Sequence, residues 1–384
     1  PNRSFGAGRF KASILALKYL WAPPETLSNY GKMWFFNGSA RIIMIQSGFF
    51  DTEDRYAKLN ELDPLPKLND SINWSVFRPI LAKTVKANKV VGGRPPYDVI
   101  MMFKILVLQH LYNISDGQLE FQIRDRMTFC RFLGLTASGN VPDANTIWAF
   151  REKLVRLDLM KKLFDKFGAE LNKAGFEAKK GQIVDASFVN VPKQRNSKDE
   201  NDEIKGGGRP SSFDESPSKG AQKDTDARWT KKNKETHYGY KDHVVVDVKN
   251  KLIRNYDVTS AEVHDSNVFT ELLTDNTSKD VWADSAYRSE DIEDALKKAG
   301  YRSKVHEKGY KNKPLTERQK KSNTRKSRIR AKVEHVFGSI TNDQGGIFSR
   351  VIGFNRNAFK IGMMNLVYNF RRFSYLNKVS VSKK

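Results

Sequence analysis

The sequence predicts an α/β catalytic domain, a mixed sheet flanked by helices, behind an all-helical N-terminal domain. Three observations carry this. Apolar residues recur at helical spacing from Tyr97 to about Ala174, and in strand-like runs from Gly181 onward. The strand-like runs come first as a meander and then alternate with helical stretches. Finally, Asp185 stands inside an otherwise apolar strand, where a charge needs a partner, hydrogen bonds or a metal ion.

In the front segment, Val99, Met102, Phe103 and Leu106 form the i, i+3, i+4, i+7 stripe of an amphipathic helix. Ser115 is placed to cap a second helix through Phe121 and Ile123. A third, short helix carries Phe129, Phe132 and Leu133 and stops at Gly134. Asp143 caps a fourth, with Ile147, Phe150, Leu154 and Val155. A fifth runs roughly from Asp158 to Lys173, with Gly175 as its C-terminal stop. Short helices on a basic chain suit DNA reading, dimerisation or plain packing, and no recognition helix stands out.

At Gly181 the pattern changes. Gln182 to Val189 reads as a strand. Residues 190–234 are polar, contain Gly206-Gly207-Gly208 and Pro192, Pro210 and Pro217, and are expected to be a flexible insertion. Strand signals return at His237 to Tyr240, at Val244 to Val246 and at Leu252 to Val258, the last after a turn at Lys249-Asn250. A helix at about Asp265 to Leu273 follows, then Val281-Trp282-Ala283 running into Asp284. Ser289 caps a helix with Glu290 and Asp291 in its first turn, where acids complement the helix dipole. A strand near Tyr301 to Val305 and a helix around Ile329 to Ile340 complete the series. A meander, then helix, strand, helix, strand, helix, is the order of a ribonuclease H-like α/β domain. The expected organisation is an extension without its own fold at 1–43, a helical domain at 44–175 for DNA binding or dimerisation, and the catalytic domain at 181–376. Met44 is the expected original start, since the segment before it has six basic residues, one acid and no motif.

The 384 residues carry a formal charge of +23 and a pI near 9.8. Such a surface attracts polyanions, of which nucleic acid is the commonest large one. A ribosome-associated or merely very soluble protein would carry the same signature. The apolar run Ile14 to Ala22 is broken by Lys18 and too short to cross a bilayer, so no membrane partner is expected. The single cysteine, Cys130, excludes an internal disulfide and a cysteine-based zinc site, and a cytoplasmic location is the default. The six histidines lack zinc-motif spacing. A metal would therefore be held by carboxylates, which suit hard cations such as magnesium or manganese.

Three acids fit that role. Asp185 lies within a strand, and Asp284 ends one, where open α/β sheets place their ligand sites. Glu334 borders the apolar stripe Ile329, Val333, Val336, Phe337 and Ile340 of the last predicted helix, one turn after Arg330. Attack on a phosphodiester builds charge on both the entering and the leaving oxygen. Two divalent ions about 3.5–4 Å apart can stabilise both, and holding them close takes several carboxylates. Each acid also has a plainer reading: a turn residue, a helix cap, and a partner for Arg330.

Longer motifs point further. They are Ile45-Gln46-Ser47-Gly48-Phe49-Phe50-Asp51, Gly92-Gly93-Arg94-Pro95-Pro96-Tyr97, Phe132-Leu133-Gly134-Leu135 and Val141-Pro142-Asp143-Ala144-Asn145-Thr146-Ile147-Trp148. Later come Asp226-Ala227-Arg228-Trp229-Thr230-Lys231-Lys232 and Tyr238-Gly239-Tyr240-Lys241. The acids sit in Val184-Asp185-Ala186, Ala283-Asp284-Ser285-Ala286-Tyr287 and Val333-Glu334-His335-Val336-Phe337. From about Met44 to the C-terminus the chain resembles the DDE transposases of bacterial insertion sequences, in particular the IS-five group. The resemblance implies that Asp185, Asp284 and Glu334 are catalytic and bind two magnesium ions, with manganese as the alternative. It implies hydrolysis at an element end, which frees a 3′-hydroxyl, and attack of that hydroxyl on target DNA. It implies double-stranded DNA as partner, a homodimer or larger synaptic complex, and a nucleoid-associated bacterial protein. Related families carry Tyr-x-x-Arg-x-x-x-Glu-x6-Lys around the third acid. Arg330 and Glu334 fit it, whereas Ser327 and Thr341 stand at the tyrosine and lysine positions.

The stretch Lys308 to Lys332 holds eleven basic residues and one acid, Glu317, and leads straight into Glu334. It is expected to meet DNA backbone. Arg330, Arg328, Lys332 and, from the Tyr-Gly-Tyr-Lys motif, Lys241 are the candidate DNA contacts. The alternatives are a ribonuclease H-like nuclease that cuts without joining, and an inactive transposase-derived regulator that only binds DNA.

Overall fold

The computed structural model describes residues 57–59, 62–85, 95–136, 139–232, 234–310, 313–346 and 348–381, with backbone only at 380 and 381. These residues fall within one unit, Arg55–Lys384. The expectations for 1–43, Met44 and the motifs at 45–51 and 92–94 lie outside the described residues.

Two of the front helices start at the expected caps, Ser115 and Asp143, and two further caps, Asp63 and Asp98, were not expected. Helix α1 (Pro64–Ser71) starts at Asp63, whose carboxylate accepts from the Leu65 N–H. A 3-10 turn (Trp74–Phe77) and α2 (Arg78–Leu81) follow. Helix α3 (Val99–Tyr112) is capped by Asp98 and buried on nearly every side, with the next three front helices packed on it and the fourth on the 3-10 turn and the C-terminal helix. These four are α4 (Asp116–Asp125, capped by Ser115), α5 (Met127–Leu133, ended by left-handed Gly134), α6 (Ala144–Arg156, capped by Asp143) and α7 (Met160–Lys173).

The remainder runs β1 (Gln182–Asn190), α8 (Lys198–Lys205), α9 (Ser211–Glu215), α10 (Pro217–Gly220), β2 (Arg228–Lys232), β3 (Glu235–Asp247), β4 (Ile253–Ser260), α11 (Phe269–Leu272), β5 (Asp280–Trp282), α12 (Glu290–Lys298), β6 (Arg302–Ser303), α13 (Glu317–Gln344) and α14 (Phe354–Val381). The sheet is mixed. β3 pairs antiparallel with β1, β2 and β4, while β5 lies parallel to β1 and β6 parallel to β5. Side chains alternate across it. Ile183, Val189 and Val244 join the core that also holds the front helices, α13 and α14. Val184, Val245 and Val281 pack on the other face with Phe269, Tyr287 and Leu296.

Several expectations change here. Residues 190–234 are folded, not a featureless loop. Ser197 and Glu200 form a capping box on α8, and the Glu200 carboxylate also accepts from Ser212 and Lys219. Those bonds hold its pKa down at about 2, and Phe213 is fully buried. The glycines and prolines only punctuate short helices. β2 was not anticipated. The final helix near Glu334 begins twelve residues earlier than expected, at Glu317, because Thr316 and Gln319 form a capping box ahead of the basic run.

The helical and catalytic segments also share one interior. α14, a helix not expected from the sequence, places Phe370 4.6 Å from Phe167, 5.5 Å from Trp74 and 5.9 Å from Phe77 between ring centroids. Its Asn369 side chain donates to the Ile253 carbonyl and accepts from the Ile253 N–H, tying the same helix to β4. The boundary expected near 175–181 is therefore a change of element type and not a gap in packing.

Candidate active site

Strand register brings two of the three acids together. Ile183 on β1 lies beside Trp282 on β5, and the strands are parallel. Asp185 and Asp284 each come two residues later, so both stand at the same level past that rung, Asp185 within β1 and Asp284 just beyond the carboxyl end of the neighbouring β5. Asp185 points to the face covered by α13. Asp284 caps a 3-10 turn (Ser285–Tyr287) and accepts from the Ser285 hydroxyl at 3.0 Å.

Helix α13 adds the cation between them. Val333, Val336 and Ile340 are buried and seat the helix against the sheet. Arg330 on this helix reaches Asp185 Oδ2 with Nη1 at 3.0 Å and lies 3.7 Å from Asp284 Oδ2. Its Nε is buried and has no hydrogen-bond partner. Glu334 is exposed one turn further on. Among the described residues no three Asp, Glu, His or Cys side chains are gathered closely enough to enclose a metal ion. The structure thus unites Asp185, Asp284 and Arg330 and leaves Glu334 outside their contact. The donor chemistry still suits a hard divalent cation, since two carboxylates converge on a point already occupied by positive charge.

The two aspartates differ electrostatically. Burial pushes the Asp185 carboxyl up, and the opposing pull of Arg330 and the Ala186 N–H does not cancel it. Burial also pushes Asp284 up, but the Ser285 hydroxyl, Arg330 and the Ala286 and Ser285 N–H groups outweigh it and hold the carboxyl below its usual range. Beneath them Tyr287 buries a hydroxyl with no partner, and burial together with the carboxylates of Asp265, Asp185 and Asp284 keeps it a neutral phenol. His306 is a neighbour that no sequence signal flagged. Its backbone N–H donates to the Ala283 carbonyl at 3.2 Å, and burial followed by Arg330 depresses its imidazole pKa. It arrives there through the parallel pairing of β5 and β6, a long-range feature without a motif.

The candidate DNA contacts separate. Arg328 is exposed, as are Lys308, Lys313, Arg318, Lys320, Lys321 and Arg325 along the same approach. Lys332 donates to the Val248 carbonyl at 3.1 Å. Lys241 does not fit the expectation. Its side chain is only 8% exposed, pairs with Asp265 at 2.8 Å and donates to the Val263 carbonyl at 2.6 Å. It sits opposite Phe188 in the sheet, three residues from the rung of Asp185 and Val244, so it points to the other face.

Two carboxylates on neighbouring strands of a mixed sheet, beside an exposed cationic helix, suit work on a phosphate polymer. The family described as transposase DDE domain matches residues 177–370, and a second, described as a transposase domain, matches 53–153. The chain belongs to the transposase DDE domain family. It is a DNA transposase, a DNA-cleaving enzyme. Among solved structures it is similar to a piggyBac transposase synaptic complex with hairpin DNA, with 13% identity and a TM-score of 0.44, over 84% of this chain and 77% of that one. Among the described residues no helix is long and apolar enough to cross a membrane.

Proposed function

We propose that Asp185, Asp284 and Glu334 are the catalytic carboxylates of a ribonuclease H-like transposase of the IS-five group, which cleaves element ends and joins them to target DNA. The observation that carries this is the meeting of Asp185 and Asp284 at one guanidinium, from strands whose parallel pairing sets both acids at the same level. The strand order β4-β3-β1-β5-β6, antiparallel in its first three members and parallel in the rest, supports the fold reading. The motifs around the three acids support the IS-five reading.

Members of this family use divalent metal ions. Asp185, Asp284 and Glu334 would hold them, two magnesium or manganese ions in this reading. Such ions supply charge stabilisation to the entering and leaving oxygens of the phosphodiester. The chain's own groups do the rest. Arg330 lies at the aspartates and offers a fork of donors to a non-bridging phosphate oxygen. Arg328 and Lys332 hold the backbone beside it. In the first reaction water adds to phosphorus and the 3′-oxygen leaves as a hydroxyl. In the second that hydroxyl adds to a target phosphate and displaces the target's own 3′-oxygen, so one ester is exchanged for another. Two ends must be held together, hence the expected homodimer or larger synaptic complex, at the nucleoid in the bacterial cytoplasm.

The test is an assay with an uncut and a pre-cut element end, target DNA and magnesium. Asp185→Asn and Asp284→Asn are each expected to lower cleavage and joining by about a thousandfold or more, and Glu334→Gln comparably, as for electrostatic groups at a reaction centre. Unchanged rates in either aspartate variant would end this reading. Cleavage by the native chain without joining would favour the nuclease instead.

A further inference from the structure

We propose that a cleft beyond the end of β1 binds an unpaired nucleotide of the DNA strand that passes the catalytic aspartates. Only its relation to the scissile phosphate rests on the reading above.

The cleft has a volume of about 260 Å³ and lies between residues 191–194, 222–224 and 350–352. Its walls are fixed to each other, since the Ser349 N–H donates to the Asn190 carbonyl at 2.8 Å. Lys193, Lys223 and Arg350 line it, and none of them pairs with a carboxylate among the described residues. Lys223 is held by neutral acceptors, the Arg195 carbonyl at 2.6 Å and Asn196 Oδ1 at 2.7 Å, so its charge is not cancelled. The one acid in the lining, Asp224, is buried and already engaged. It accepts from Tyr240 at 2.8 and 2.9 Å and from the N–H groups of Asp226, Ala227 and Gly353. The cleft is therefore electropositive.

Two further groups say what kind of anion it suits. Gln194 buries its Oε1 in the lining without any donor. Phosphate diesters offer no N–H, whereas the amino edge of a base does. Outside the lining but next to Lys193, Trp229 remains 47% exposed, a large apolar surface left in water. Its ring packs against Tyr238 at 4.7 Å between centroids, tilted by 34°, and Lys193 Nζ lies 5.7 Å from its centroid. Tyr238 is itself fixed to the cleft walls, accepting from the Val191 N–H and reaching the Asp224 carbonyl with its hydroxyl. Cations for phosphate, an exposed aromatic face for stacking and a lining amide, Gln194, whose buried oxygen would have to turn outward to meet a base edge, together match one nucleotide of single-stranded DNA.

The position fits the same strand. Along β1, Asp185, Ser187 and Val189 share a face, and Val191 continues it in the same core. From Asp185 to Val191 is about 20 Å at strand rise. That is about six phosphates at duplex spacing, and fewer in an extended strand.

The test uses the full chain without divalent ions, so that nothing is cleaved. One probe is a duplex with a six-nucleotide 3′ overhang containing 2-aminopurine, and the other is the blunt duplex. The native chain is expected to prefer the overhang and to quench the 2-aminopurine. Trp229→Ala should weaken overhang binding about tenfold and abolish the quenching, with blunt-duplex affinity and melting temperature unchanged, and Trp229→Phe should restore most of both. Lys193→Gln with Arg350→Gln should flatten the salt dependence of overhang binding. Equal overhang affinity and quenching in native and Trp229→Ala protein would overturn the proposal. So would equal losses on both probes, which would make Trp229 part of a general DNA surface. Asp185→Asn should keep the overhang preference whether or not it loses cleavage, so the two readings fail separately.

Discussion

At Asp242, burial decides a titration that lies in the neutral range. Its carboxyl is fully enclosed, accepts from Asn365 Nδ2 at 2.9 Å and is pushed up to about 7 by desolvation. Between about pH 4 and 7 the folded chain keeps this proton and the unfolded chain gives it up, so this group's stabilising effect is full at low pH and is lost as pH rises through 7. His110 and His243 act in the opposite direction. Burial depresses both to about 4, and they remain neutral where the unfolded chain is protonated, so their stabilisation is lost as pH falls from about 6.5 to 4. Asp242→Asn keeps the acceptor for Asn365 and removes the charge. Its melting temperature is expected to match the native protein's near pH 4 and exceed it above pH 7, by on the order of a few kcal/mol of stability. A native protein whose melting temperature rises as steeply as the variant's from pH 5 to 8 would contradict this.

For the elements, the lesson lies in residues 190–234 and in α14. In the insertion, the glycines and prolines are strong local signals of a loop, while the cap at Ser197 and Glu200 and the single buried ring at Phe213, which fold it, are weak ones. Phe213→Ala should loosen this element alone. Hydrogen exchange is expected to speed up across 198–220 while β1 and β3 stay protected, and faster exchange throughout the sheet would argue against an independent local core. α14 lacked a clear stripe because so many of its sides are covered. Gly362 shows how tightly: a Cβ there would come within 2.5 Å of Met160 Cγ and would clash with the Tyr256 hydroxyl. Gly362→Ala should therefore destabilise, although alanine is ordinarily the better helix former, and a raised melting temperature would disprove the close approach.

In the molecule as a whole, the front helices and the sheet should unfold together. Phe370 sits among rings from the 3-10 turn, α3 and α7 while its own helix is bonded to β4. Phe370→Ala is expected to cost about 3–5 kcal/mol and to lower a single unfolding transition. Two separated transitions in calorimetry would instead restore the two-domain picture. The sequence by itself determined the caps at Ser115, Asp143 and Ser289, the stop at Gly134, and the change from helical to strand pattern at Gly181, and it named the three acids through their motifs. These depend on residues within a turn or two of one another, or on whole-motif likeness. Only the tertiary structure decided that Asp185 and Asp284 share one guanidinium, that Lys241 turns away to Asp265, that His306 joins the site, and that a last helix fuses both segments. Each of these depends on pairing and packing between residues far apart in the chain, where local spacing holds no information about which face meets which.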